Sequence, residues 1–194
     1  MRAQSLLTFA TALVAASIGA SAAQAQELTR AVQRVELHGD APAACVANGG
    51  RAANPVNASF QSTGPNSGTV LLPLFVDTAT ATTRGSSIEV AVPVICNTSH
   101  TITVRSANGG LLREDAAAAR TGSGGFSEFQ AYDVGLQWQQ QVMRLGGATS
   151  SATLVYAQPA KGDLIVNITV PRGTAPLVAG TYSDSVVVEI RPAN

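Results

Sequence analysis

Apolar and polar side chains alternate in short runs along most of the chain, and clusters of Gly, Asn, Ser and Pro separate the runs. A period of two places successive side chains on opposite faces of a β-strand. In "SIEVAVPVI" (87–95), Ile88, Val90, Val92 and Val94 share one face, and Pro93 inside the run predicts an exposed edge or a bulge. Asn97-Thr98-Ser99 predicts a turn, and "HTITVRS" (100–106) returns with Ile102 and Val104 inward, so this region reads as a hairpin. "TVLLPLFV" (69–76) reads as a buried strand interrupted by Pro73. In "FQAYDVGLQW" (129–138), Gln130, Tyr132, Val134, Leu136 and Trp138 share one face. "ATLVYA" (152–157), "DLIVNITV" (163–170) and a last strand over about 181–191 complete the set. In that last strand Tyr182, Val186, Val188 and Ile190 share a face.

Turn residues fill the connectors, at 48–50, 64–68, 108–110, 122–125 and 146–147. The one helix candidate, "LREDAAAAR" (112–120), is Ala-rich but carries no apolar stripe, which supports one or two turns within a loop. About seven short strands with regular turn signals define an all-β fold, a sandwich immunoglobulin-like in outline.

The first residues follow a different rule. Arg2 precedes an apolar stretch from Leu6 to about Ala20, and Ala23-Gln24-Ala25 has the small-x-small form of a cleavage site. Residues 1–25 thus read as a secretory signal peptide, and no later stretch is long and apolar enough to span a bilayer. Removing 25 residues from 194 leaves 169, the size of one domain able to bury a real core. Arg2 departs with the leader, so 11 basic side chains face 12 acidic ones, a balance that points to neither nucleic acid nor an anionic membrane. Charged residues are only 12% of the chain, which suits a protein packed against copies of itself or set in a surface layer. In an oxidising compartment Cys45 and Cys96 have one intramolecular pairing open to them, a structural disulfide.

Residues that could carry chemistry are few. The two histidines, His38 and His100, lack partners at ligand spacing, so no metal and no cofactor is expected. There is no Gly-x-Ser-x-Gly elbow, and "TGSGG" (121–125) lacks the Gly-Lys-Ser/Thr ending of a phosphate loop. Glu114, Asp115 and Glu128 read as a solvated loop face. Trp138, Tyr132 and Phe129 read as core, with a sugar-binding groove as the functional alternative. No catalytic residue is assigned, and the chain is not expected to be an enzyme.

The segment "GDLIVNITVPRGTAPLVAGTYSDSVVVEIRP" (162–192) resembles the C-terminal signature of the spore coat protein U domain family, which includes the subunits of archaic chaperone–usher pili. The order upstream is similar. Cys45 follows a short N-terminal segment, "VAVPVIC" ends on Cys96 before "HTITV", and "YDVGLQW" supplies an aromatic central strand. The likeness covers about residues 35–194. It departs from the family's pattern after Phe60, where "QSTGPNSG" follows, and over 62–86, which is longer.

The resemblance implies a sandwich that lacks its last strand. The final strand, with Tyr182, Val186, Val188 and Ile190, would then line an acceptor groove filled by a neighbour's N-terminal extension, and by a periplasmic chaperone before assembly. It divides the chain into a leader (1–25), an extension (26–34) and the sandwich domain (35–194). Candidate donor residues are Leu28 and Val32 on one parity and Val35 and Leu37 on the other, which leaves two offsets open. The implied partners are copies of the chain or related subunits, a periplasmic chaperone and an outer-membrane usher. The implied location is the periplasm in transit and then the cell surface. The implied role is a structural fibre subunit serving adhesion or biofilm formation. Two alternatives keep the fold: a secreted coat or matrix protein that does not polymerise by strand donation, and a carbohydrate-binding adhesin.

Overall fold

The alternation is realised in a computed structural model that describes residues 34–116, 120–146 and 151–193. In chain order the strands are β1 (Cys45–Ala47), β2 (Arg51–Val56), β3 (Ser59–Gly64), β4 (Ser67–Leu71), β5 (Ser86–Cys96), β6 (His100–Ser106) and β7 (Gly110–Arg113). They continue with β8 (Phe129–Ala131), β9 (Asp133–Trp138), β10 (Gln141–Leu145), β11 (Ser151–Tyr156), β12 (Ala160–Val170), β13 (Tyr182–Ser183) and β14 (Val186–Pro192). The fold is all-β, as the period-two pattern requires. One compact unit runs from Ala41 to the C-terminus. Ahead of it, residues 34–40 are exposed and have no regular secondary structure.

The larger sheet has the order β1-β5-β12-β9-β10, with β2 also on the outer edge of β5. The second sheet is β11-β6-β14. A small sheet, β13-β7-β8, and the separate hairpin β3-β4 complete the set. Every pairing between these strands is antiparallel. The inward parities of the two main sheets meet in one apolar cluster that includes Val94, Ile102, Val104, Leu136, Trp138 and Leu164. Full burial of each such side chain stabilises the fold by about 1.5–3 kcal/mol.

Trp138 and His100 are both 0% exposed, and the indole Nε1–H donates to His100 Nε2 at 2.8 Å. Indole nitrogen only donates, so His100 Nε2 accepts, and Nδ1 carries the proton that reaches Thr98 O at 2.9 Å. The imidazole is therefore neutral and fully satisfied. Beside it the Cys45–Cys96 disulfide joins β1 to β5.

Several elements differ from the sequence expectation, each for a physical reason. Residues 87–106 are not a hairpin. Both edges of β5 are taken, by β1 and β2 on one side and β12 on the other, so β6 falls in the opposite sheet. Pro93 lies opposite the interruption between β1 and β2, where its carbonyl accepts from Asn48 N–H at 2.9 Å. The run 129–138 breaks at Tyr132, with β8 in the small sheet and β9 in the large one. The run 69–76 is not a buried strand, because β4 ends at Leu71 ahead of a turn at Pro73 and Leu74. Within 112–120, Leu112 and Arg113 are strand residues and no helix forms over the described part. Glu128 is not solvated; it is 6% exposed and holds an ion pair with Arg113.

Two stability outcomes follow from this packing. Replacing both Cys45 and Cys96 by Ser lowers unfolding stability by roughly 4 kcal/mol through the 51-residue closure, measured by urea titration without reductant. Trp138→Phe leaves His100 Nε2 without its donor and lowers stability by about 1–3 kcal/mol in the same assay.

Candidate functional site

A sheet edge is a row of backbone donors and acceptors, and burial of apolar surface beside it makes that row a docking place. Among the described strands β14 pairs on one side only, with β6, in a register running from Val186↔Ser106 to Pro192↔His100. Its other side opens onto a cavity of about 710 Å³. That volume lies within the range of a ligand-sized site, far above a packing defect. The floor is apolar and comes from the inward parities of β5 and β12, with Val90, Val92, Leu164, Val166 and Ile168. Val186, Val188 and Ile190 line the β14 side and are only half-buried. These three are where the alternation placed them, on the candidate acceptor strand.

Tyr182 is a correction. It is not part of β14 and does not line the cavity; it sits in β13, opposite Arg113, and its hydroxyl donates to Val178 O at 2.7 Å. The strand expected over 181–191 breaks between Ser183 and Val186, and Asp184 causes the break. Its Oδ2 accepts from Tyr132 Oη at 2.6 Å, from Ser106 Oγ at 2.5 Å and from Gly110 N–H at 3.2 Å. Its Oδ1 accepts from Asn108 N–H at 2.9 Å and from Ser185 N–H at 2.7 Å. This polar knot closes one end of the cavity. Burial, and then the hydrogen bond to Asp184, push the Tyr132 phenol well above its ordinary value. The signal for Asp184 was present in the sequence, since it is the one acid on the parity of Tyr182, Val186 and Val188.

The hairpin β3-β4 also lines the cavity. Phe60 and Val70 are cross-strand partners, and both line the cavity. A Cβ at Gly68 would fall 2.3 Å from the Phe60 ring, so glycine there lets the ring lie flat across the hairpin. At its base Asn57 bonds the Leu74 backbone in both directions, donating to Leu74 O at 2.9 Å and accepting from Leu74 N–H at 3.1 Å.

Of the candidate donor residues, Leu28 and Val32 lie outside the described residues. Val35 and Leu37 are 74% and 94% exposed. Trp138 lies in the core, so it offers no face on which a sugar could stack. Among the described residues one group of metal-ligating side chains converges, Cys45, Cys96 and His100. Its sulfurs are joined in a disulfide and both imidazole nitrogens are engaged, so the group presents neither a thiolate nor a free imidazole nitrogen to a metal. Comparison with protein-family models finds none that matches the chain, and a search of curated proteins finds no significant match.

The Asp184 knot yields two expected outcomes. Asp184→Ala strands two hydroxyls and three backbone N–H groups, and lowers stability by at least about 3 kcal/mol in urea unfolding. A phenol whose pKa is raised by folding contributes stability that is complete below the unfolded value of 10.0 and is lost as pH rises above it. Tyr132→Phe therefore shows a smaller loss of urea midpoint between neutral pH and pH above about 10 than the unmodified protein does.

Proposed function

We propose that the protein is an exported structural subunit, without catalytic activity, that joins its neighbours into a surface fibre by strand donation. The observation that carries this reading is the edge of β14 that no described strand pairs, set over an open apolar floor. Such an edge is an aggregation hazard, and proteins cover, charge or shorten their edges to avoid it. Here Val186, Val188 and Ile190 instead offer apolar side chains at alternate positions, which is what an added strand reads: main-chain bonds give affinity and alternate pockets give specificity. An extended segment supplies both. Because donor and acceptor lie at different places on the subunit, the contact is head-to-tail and propagates.

The likeness of residues 162–192 to the spore coat protein U domain supports the same reading. On it, a periplasmic chaperone covers the groove until an outer-membrane usher exchanges it for the next subunit. The fibre then serves adhesion or biofilm formation.

The test is assembly. The full chain, exported and incubated, forms SDS-resistant ladders, whereas a chain lacking residues 26–38 stays monomeric or chaperone-bound. Val188→Asp, on the groove side of β14, blocks ladders, while Gln140→Asp, on an exposed turn, leaves them intact. Stable, chaperone-free monomers from both the full and the shortened chain, or equal effects of the two substitutions, refute the proposal.

A further inference from the structure

The tripeptide Asn-Gly-Gly occurs twice, at 48–50 and at 108–110, and these are the two places where glycine follows asparagine. Asparagine is chemically labile in that setting. Its side-chain amide carbon lies within reach of the next backbone nitrogen, and glycine puts no Cβ in the way. Attack needs two freedoms. The peptide plane between the two residues has to rotate, and its N–H has to be released from any acceptor. The fold grants these freedoms at one tripeptide and withholds them at the other.

At 108–109 the plane is held from both sides. Arg120 Nη1 donates to Asn108 O at 2.8 Å, and Gly109 N–H donates to Ser106 Oγ at 2.8 Å. Asn108 N–H is held in turn by Asp184 Oδ1 at 2.9 Å, and the next residue, Gly110, is buried at the start of β7. At 48–49 the only tie is on the N-terminal side, where Asn48 N–H donates to Pro93 O at 2.9 Å. Both residues are exposed and lie outside any strand, between β1 and β2. No described group bonds the Asn48 side chain, the Asn48 carbonyl or the Gly49 N–H. An exposed segment with so few ties reorients at little cost.

We infer that Asn48–Gly49 is a self-modification site, at which the folded chain converts its own asparagine amide to a carboxylate, and that Asn108–Gly109 is protected from the same reaction. The Gly49 nitrogen loses its proton to solvent base and attacks Asn48 Cγ. The new C–N bond closes a succinimide ring as the Cγ–Nδ2 bond breaks, and the nitrogen leaves as ammonia with a proton from solvent. Water then opens the ring at either carbonyl, which leaves an aspartyl or an isoaspartyl linkage. Water is the sole co-reactant. Asn48 and Gly50 both line the cavity beside β14, so either product sets a new negative charge at its rim. The isoaspartyl form also lengthens the main chain where β1 passes to β2. The site needs no partner, so it is independent of strand donation.

Trypsin isolates the two sites, because residues 35–51 and 106–113 are bounded by arginines and each stretch contains a single asparagine. The purified full chain, with its disulfide intact, is held in warm, mildly alkaline buffer. Samples are then reduced, digested and read by mass spectrometry with electron-transfer fragmentation, which tells isoaspartyl from aspartyl. A parallel sample unfolded in guanidinium chloride with reductant gives the rate of each site free of structure. The expected result is that 35–51 converts in the folded chain at least about tenfold faster than 106–113, the factor that one hydrogen bond lost before attack supplies at about 1.4 kcal/mol. The two convert alike once unfolded, and isoaspartyl is among the products. Gly49→Ala, whose Cβ would lie 3.3 Å from Pro65 O at an exposed turn, slows 35–51 in the folded and the unfolded chain alike. Three results each overturn the inference: no conversion of 35–51 in the folded chain while the unfolded chain converts, equal rates at the two sites in the folded chain, or aspartyl formed without isoaspartyl.

Discussion

The carboxylate of Asp184 gathers five donors from three parts of the chain, and the layout of the site depends on it. A carboxylate bound by several donors is held more firmly than any one of them, because charge-assisted hydrogen bonds are roughly twice as strong as neutral ones. Through Ser106 and Tyr132 it ties the end of β6 to the crossing between β8 and β9. Through the N–H groups of Asn108 and Gly110 it fixes the start of β7. By bonding its neighbour Ser185 it ends the β13 segment and lets β14 begin in the other sheet. Where β14 begins decides which of its residues lie over the floor.

From that start the remaining geometry follows by exclusion. β5 has partners on both edges and β12 lies between β5 and β9, so neither offers backbone to a newcomer. Among the described strands β14 has one partner, and β3 and β4 pair only with each other. The disulfide and the Asp184 knot, one covalent and one hydrogen-bonded, both border the cavity beside β14. The floor there is built from the same alternating valines, leucines and isoleucines as the sealed core, which explains why the open side is so apolar.

Much of this was legible as faces and little of it as partners. Period two placed Val186, Val188 and Ile190 on one side of the last strand, and Val134, Leu136 and Trp138 on the inward side of β9, because the sterics of an extended backbone fix that relation locally. Pairing is settled by distant residues. Whether β5 turns back onto β6 depends on β1, β2 and β12 having already claimed its edges, and nothing within 87–106 records that. Asp184 received no role from the sequence, because four of its five donors come from residues 106–132, far from it along the chain. Glu128 looked solvated because Arg113 lies fifteen positions away across a loop. The resemblance of the last third to a known family drew attention to β14 as a candidate edge, while the hairpin over 59–71 lies where that resemblance departs from its pattern.

The disulfide has a mechanical meaning. Tension that reaches the domain from its N-terminal side arrives at Cys45 and passes through a covalent bond to Cys96, at the end of the longest ladder in the molecule, β5 with β12. The residues between the two cysteines, including β2, the hairpin and most of β5, lie off that line of force. They contribute no slack to a stretched chain, and the hairpin that lines the cavity keeps its shape under a load that passes beside it.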